Sequence, residues 1–83
     1  MLTEPKLKRR LGEILTLEEH GREADWFAIA RLSGELLHEL PATVPPIVKA
    51  YLTDCDIRRA SPKFAIGQML QLIHYLRSNS LEQ

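Results

Sequence analysis

The stretch PATVPPIVKAYLTDC, residues 41–55, sets three prolines within six residues, directly before an apolar stripe that ends in the only cysteine of the chain. Proline locks φ and disfavours helical geometry in the residue before it. Pro41 therefore ends whatever helix reaches Leu40, while Thr43 and Pro45-Pro46 suit the entry to a new one. Ile47, Val48, Tyr51, Leu52 and Cys55 then recur at helical spacing, with Lys49, Thr53 and Asp56 opposite. The prolines punctuate two helices; they do not mark a functional loop.

Working outward in both directions, nearly every apolar residue falls into one of four helical stripes, with no internal repeat and no strand-like alternation. The first helix is expected over about 4–18: Pro5 is tolerated in a first turn, and Leu7, Leu11, Ile14 and Leu15 share one face. Gly21 can take the left-handed conformation that closes it, and Asp25 or a neighbour can cap the second helix, about 24–40. There Trp26, Phe27, Ile29, Ala30, Leu32, Leu36, Leu37 and Leu40 cover more than half the circumference. Ala30, Ser33 and Gly34 are expected to permit a close backbone approach. The third helix spans about 45–55, and Ser61-Pro62 reads as the cap and first-turn proline of a fourth, about 62–77. Its broad arc of Ala65, Ile66, Met69, Leu70, Leu72, Ile73 and Leu76 is extended by Phe64 and Tyr75. The expected fold is all-α, one compact domain over 1–83 with four antiparallel helices; Leu81-Glu82-Gln83 carry no weight.

A chain of 83 residues holds one core and no more. Domains of this size hide only about 60–65% of the surface their unfolded chains expose, so covering by a partner adds usefully to stability. One cysteine excludes an internal disulfide or a multi-cysteine zinc site, and no apolar run follows a basic start as in a secretory leader. A cytoplasmic protein is expected. No apolar run approaches the roughly 20 residues of a membrane span.

Eleven basic residues balance eleven acidic ones, yet unevenly. Residues 1–10 carry four positive charges against one negative, and 11–40 carry two against seven. Lys6, Lys8, Arg9 and Arg10 sit in the first turns of a helix, where positive charge opposes the macrodipole. If the first two helices are antiparallel, Glu35 and Glu39 at the end of the second stand opposite them and can compensate. The functional alternative joins these residues to Arg58, Arg59 and Lys63 as a basic patch for nucleic-acid phosphate or an acidic partner. Zero net charge and the lack of a nucleic-acid motif count against phosphate. A helix-turn-helix reading would use Lys63, Gly67, Gln68 and Gln71, but the 56–61 connection exceeds its usual three or four residues.

Chemistry-bearing residues are sparse. Cys55 lies on an apolar stripe and is expected to be packed, lacking the electropositive, open setting of a thiolate nucleophile. His20, His38 and His74 fall on three segments without an i, i+4 pair, so a metal site is not expected. Glu18, Glu19, Glu23 and Asp25, with Asp54 and Asp56, read as solvated helix ends and loop charges, not a catalytic pair. No phosphate loop, nucleophile elbow or cofactor signature is present, and neither an enzyme nor a cofactor is expected. The expected function is regulatory or adaptor binding of another protein, including self-association as a homodimer. Trp26, Phe27, Phe64, Met69 and Tyr75 are the candidate contacts.

Overall fold

The computed structural model describes residues 2–77; the terminal Leu81-Glu82-Gln83 lie outside the described residues. It is all-helical, with five α-helices: α1 (Glu4–Glu18), α2 (Trp26–Leu37), α3 (Pro46–Thr53), α4 (Cys55–Ala60) and α5 (Pro62–Arg77). The residues from 56 to 61, expected as a connection, instead form most of the six-residue α4, so the third and fourth stripes are separated by a helix of their own.

Each boundary has a local cause. Thr3 caps α1, its hydroxyl accepting from the Lys6 N–H at 3.4 Å, and Pro5 occupies the first turn. After α1, Gly21 takes φ +63°, a left-handed value that admits glycine without a Cβ clash. A single 3-10 turn, Gly21–Glu23, follows. Trp26 Nε1 donates to the Gly21 carbonyl at 3.1 Å, tying the start of α2 back onto this turn. Asp25 caps α2 through the Ala28 N–H at 3.0 Å. α2 stops at Leu37, three residues earlier than expected, because the restriction that Pro41 places on Leu40 leaves the last turn before it without a continuing ladder. Pro46 opens α3, and Ser61 caps α5 through the Phe64 N–H at 3.3 Å, as the Ser-Pro pair predicts.

The core is built from Leu7, Leu11, Ile14 and Leu15 of α1, Ile29 and Leu36 of α2, Val48, Tyr51 and Leu52 of α3, and Leu72 and Tyr75 of α5. α2 packs on α1, α3 and α4, whereas α5 packs on α3, α4 and α1. Gly34 does not mediate a close approach: a Cβ built there would meet nothing within 4 Å. One end of the α1–α2 pair carries the ion pair expected across it, Arg10 to Glu39 at 3.5 Å. Glu35 instead pairs within its own helix, with Arg31 at 3.4 Å.

Candidate functional site

Two features of this fold bear chemistry: a buried polar cluster and an open apolar groove beside it. The cluster begins with Glu18, the last residue of α1, which is 3% exposed. Its wheel position falls within the stripe of Leu7, Leu11, Ile14 and Leu15, so the end of α1 points it inward. Arg58 of α4 meets it, 1% exposed, with Nε donating to Glu18 Oε2 at 2.7 Å. Tyr51 of α3 donates its hydroxyl to Glu18 Oε1 at 2.7 Å. The Arg58 guanidinium lies 3.8 Å above the Tyr51 ring, and Nη1 donates both to the Tyr51 carbonyl and to Gln68 Oε1, the latter at 2.8 Å. Gln68 of α5 completes the chain by donating Nε2 to Asp54 Oδ2 at 3.0 Å, at the joint between α3 and α4.

Thus one charged pair links α1, α3, α4 and α5. Both members of the pair are buried, and both border the groove described below. General acid–base work requires a reacting atom within hydrogen-bond reach. Here each oxygen of Glu18 already accepts one bond, from Tyr51 or from Arg58, while burial, reinforced by the bond to Glu18, pushes the Tyr51 phenol far above its ordinary range. The cluster acts as an internal clasp. Two sequence expectations are corrected by it: Glu18 is no solvated helix-end charge, and Arg58 belongs to no exposed basic patch. Gln68 is buried as well, so it cannot read bases as the second helix of a helix-turn-helix would require.

The rest of the expected basic patch is divided. Lys6 and Arg9 are exposed at the start of α1. Lys8 sits over the Tyr75 ring at 5.1 Å, and Arg10 is engaged by Glu39. Arg59 and Lys63 are exposed at the other end of the chain's arrangement, on α4 and α5.

The groove, about 500 Å³, runs between the α1–α2 turn and the α4–α5 pair. Trp26, Pro62, Ala65, Ile66 and Met69 supply its apolar walls, Glu19 and Arg59 its charged rim. A cleft of that volume with mostly apolar walls lies in the range of ligand and side-chain binding sites. Ile66 of this wall and Leu70, one turn further along α5 and outside the groove, are each 61% exposed. Trp26 and Arg59 also line a second, more polar pocket with Phe27, Cys55 and Asp56. Phe27 there is 82% exposed, a large cost in unburied apolar surface for a core of this size.

The five aromatic and methionine contacts expected from sequence therefore separate. Trp26 and Met69 are half-buried in the groove, Phe27 is exposed beside it, and Phe64 is 40% exposed near the start of α5. Tyr75 is removed from the set: it is buried, and its hydroxyl donates to Glu4 Oε2 at 3.3 Å. Ile66 and Leu70 were not singled out as contacts because spacing alone shows that the α5 arc is wider than a core needs but not which of its residues stay uncovered.

Cys55 is half-buried at the first position of α4 and packs on the edge of the core, not at its centre. Burial first, and then the neighbouring Asp56, push its thiol upward, which suppresses the thiolate. The three histidines are all exposed, and among the described residues no group of three or more His, Cys, Asp or Glu side chains could hold a metal ion. No described helix is long and apolar enough to cross a membrane. No protein-family model, curated protein or solved structure matches this chain.

Proposed function

We propose that this chain is a non-catalytic helical module of regulatory or adaptor type that works by docking another protein onto the groove beside α5. The observation that carries the proposal is the continuity of apolar surface from Trp26 and Met69 inside the groove to Ile66 and Leu70 on its open side. Half-buried Trp and Met in a concave site, next to exposed aliphatic side chains, is the composition of an interface centre. In this account α1, α2, α3 and α5 form an antiparallel frame with α4 inserted, an arrangement supported by the Arg10–Glu39 pair at one end of α1–α2 and the Trp26–Gly21 bond at the other.

The test places a photo-cross-linking residue at Ile66, at Phe27 and at exposed Lys49 in the native cell. Docking through the groove yields a discrete adduct from 66 and 27 and none from 49; self-association yields the adduct at twice the chain mass. Equal labelling from all three positions, or none from 66, sinks the proposal.

A further inference from the structure

The open side of α5 has a chemical asymmetry that narrows what can dock there. Between Pro62 and Arg77 the helix contains no Asp or Glu. Its fixed charges are Lys63 and Arg77, both exposed, and their spacing of i, i+3, i+7 and i+14 places Lys63, Ile66, Leu70 and Arg77 on one face. The two cations therefore bracket the aliphatic pair over about 21 Å of helix. Arg59 adds a third exposed cation at the groove wall. Among the described residues none of these three has an ion-pair partner, and the one free acid on the groove is Glu19, at its far wall just past the end of α1. Glu18 is consumed by Arg58. Lys63 also stands in the first turn of α5, where its charge opposes the helix dipole and an outside anion is favoured.

Resting on the docking function above, we infer that the occupant is an acidic amphipathic helix of a partner protein. Its apolar stripe lies on Trp26, Ile66, Met69 and Leu70, and its Asp or Glu residues face Arg59, Lys63 and Arg77. A second copy of this chain fits worse. Isologous pairing through α5 lays the helix on itself, so Lys63 and Arg77 confront the same two cations with no acid in the helix to separate them. Nucleic acid would leave the aliphatic residues and Trp26 uncovered, and a flat anionic bilayer does not fill a concave groove.

The probe is a displayed library of 16-residue peptides with apolar residues held at i, i+3, i+4, i+7 and i+11 and all other positions random, selected on the full chain. Selected peptides are expected to be net negative, with Asp or Glu flanking the stripe. Their binding should fall about tenfold or more in the doubly substituted Arg59→Glu, Lys63→Glu chain, as expected for rim charges acting together. The same chain should select basic peptides instead. Peptides that lose binding on Ile66→Asp but are neutral or basic overturn the acidic occupant and leave the docking groove standing. If no peptide is selected, or if binding ignores both Ile66→Asp and Leu70→Asp, the docking function falls too. Three parallel arms decide between occupants: phosphatidylserine vesicles, a 20-base-pair duplex, and sedimentation of the chain alone. Tighter binding of either anion through Lys63 and Arg77, or a dimer abolished by Ile66→Asp, replaces the helix with that occupant.

Discussion

Replacing Arg58 by Met removes the centre of the buried clasp while nearly keeping its length and apolar stem. Three hydrogen bonds disappear, to Glu18, Gln68 and the Tyr51 carbonyl, together with the stack on the Tyr51 ring. Glu18 then remains inside with Tyr51 as its one remaining donor. Breaking a buried pair from one side costs about 3–5 kcal/mol, chiefly because the orphaned charge has been taken out of water. A domain of 83 residues is held by only about 4–12 kcal/mol. The variant should thus lose about a quarter or more of its stability, and at a urea slope of about 1 kcal/mol/M its midpoint should fall by about 3–5 M. Unfolding followed by far-ultraviolet circular dichroism reads this directly. Removing the cluster as a whole, with Glu18→Leu and Gln68→Leu added to Arg58→Met, should return most of the loss, since no ion is left to desolvate. Losses that add independently, or an Arg58→Met penalty under about 1 kcal/mol, would refute a buried, mutually supporting clasp.

Three further outcomes follow from the geometry. Gly21→Ala should cost about 1 kcal/mol in the same urea assay, because φ +63° strains an L-residue even though a Cβ meets no atom within 4 Å; equal stability would mean that the turn relaxes freely. Burial and Glu4 hold the Tyr75 phenol up to about 12 from its ordinary 10.0, and Tyr51 is raised still further. The unfolded chain therefore loses these protons first, so their contribution to stability should be complete below pH 10 and be lost as pH rises through 12, less steeply in Tyr51→Phe; no fall across that window in a pH series of thermal melts would contradict the burial of both rings. Cys55, half-buried with its thiol raised, should be alkylated at pH 8 severalfold more slowly than a free thiol and at the free rate in urea; full reactivity in the folded chain would place it in an open, electropositive setting it does not have.

Much of the clasp was visible in the spacing, though not as chemistry. Glu18 continues the stripe of Leu7, Leu11, Ile14 and Leu15; Arg58 follows Tyr51 by seven residues and Cys55 by three; Gln68 sits between Ala65 and Leu72 on the α5 arc. Each is a polar residue at a core position. Read singly, such a residue is more often a helix-end charge or a solvated flank, since ionised groups are rarely buried without a partner. The signal lies in the coincidence of three such positions on three stripes, one acidic, one basic and one amide, which can satisfy one another only if the stripes converge.

The amino-acid order by itself determined where most of the helices begin, because caps and prolines act on the backbone within one turn: Gly21, Asp25, Pro46 and Ser61-Pro62 act at or next to the boundaries they predict, whereas the early stop of α2 and the separate helix α4 were not legible in it. It also determined which face of each helix is apolar. What the tertiary structure alone decided is how much of that apolar face is covered. Tyr75 and Leu72 are buried while Ile66 and Leu70, one helix turn or two away, stay open, because α5 meets its neighbours along one side of an arc wider than they can cover. Burial is a property of area shared with residues distant in the chain, so no local pattern can apportion it; the same convergence of distant segments turned Arg58 from a surface cation into the centre of a buried charged pair.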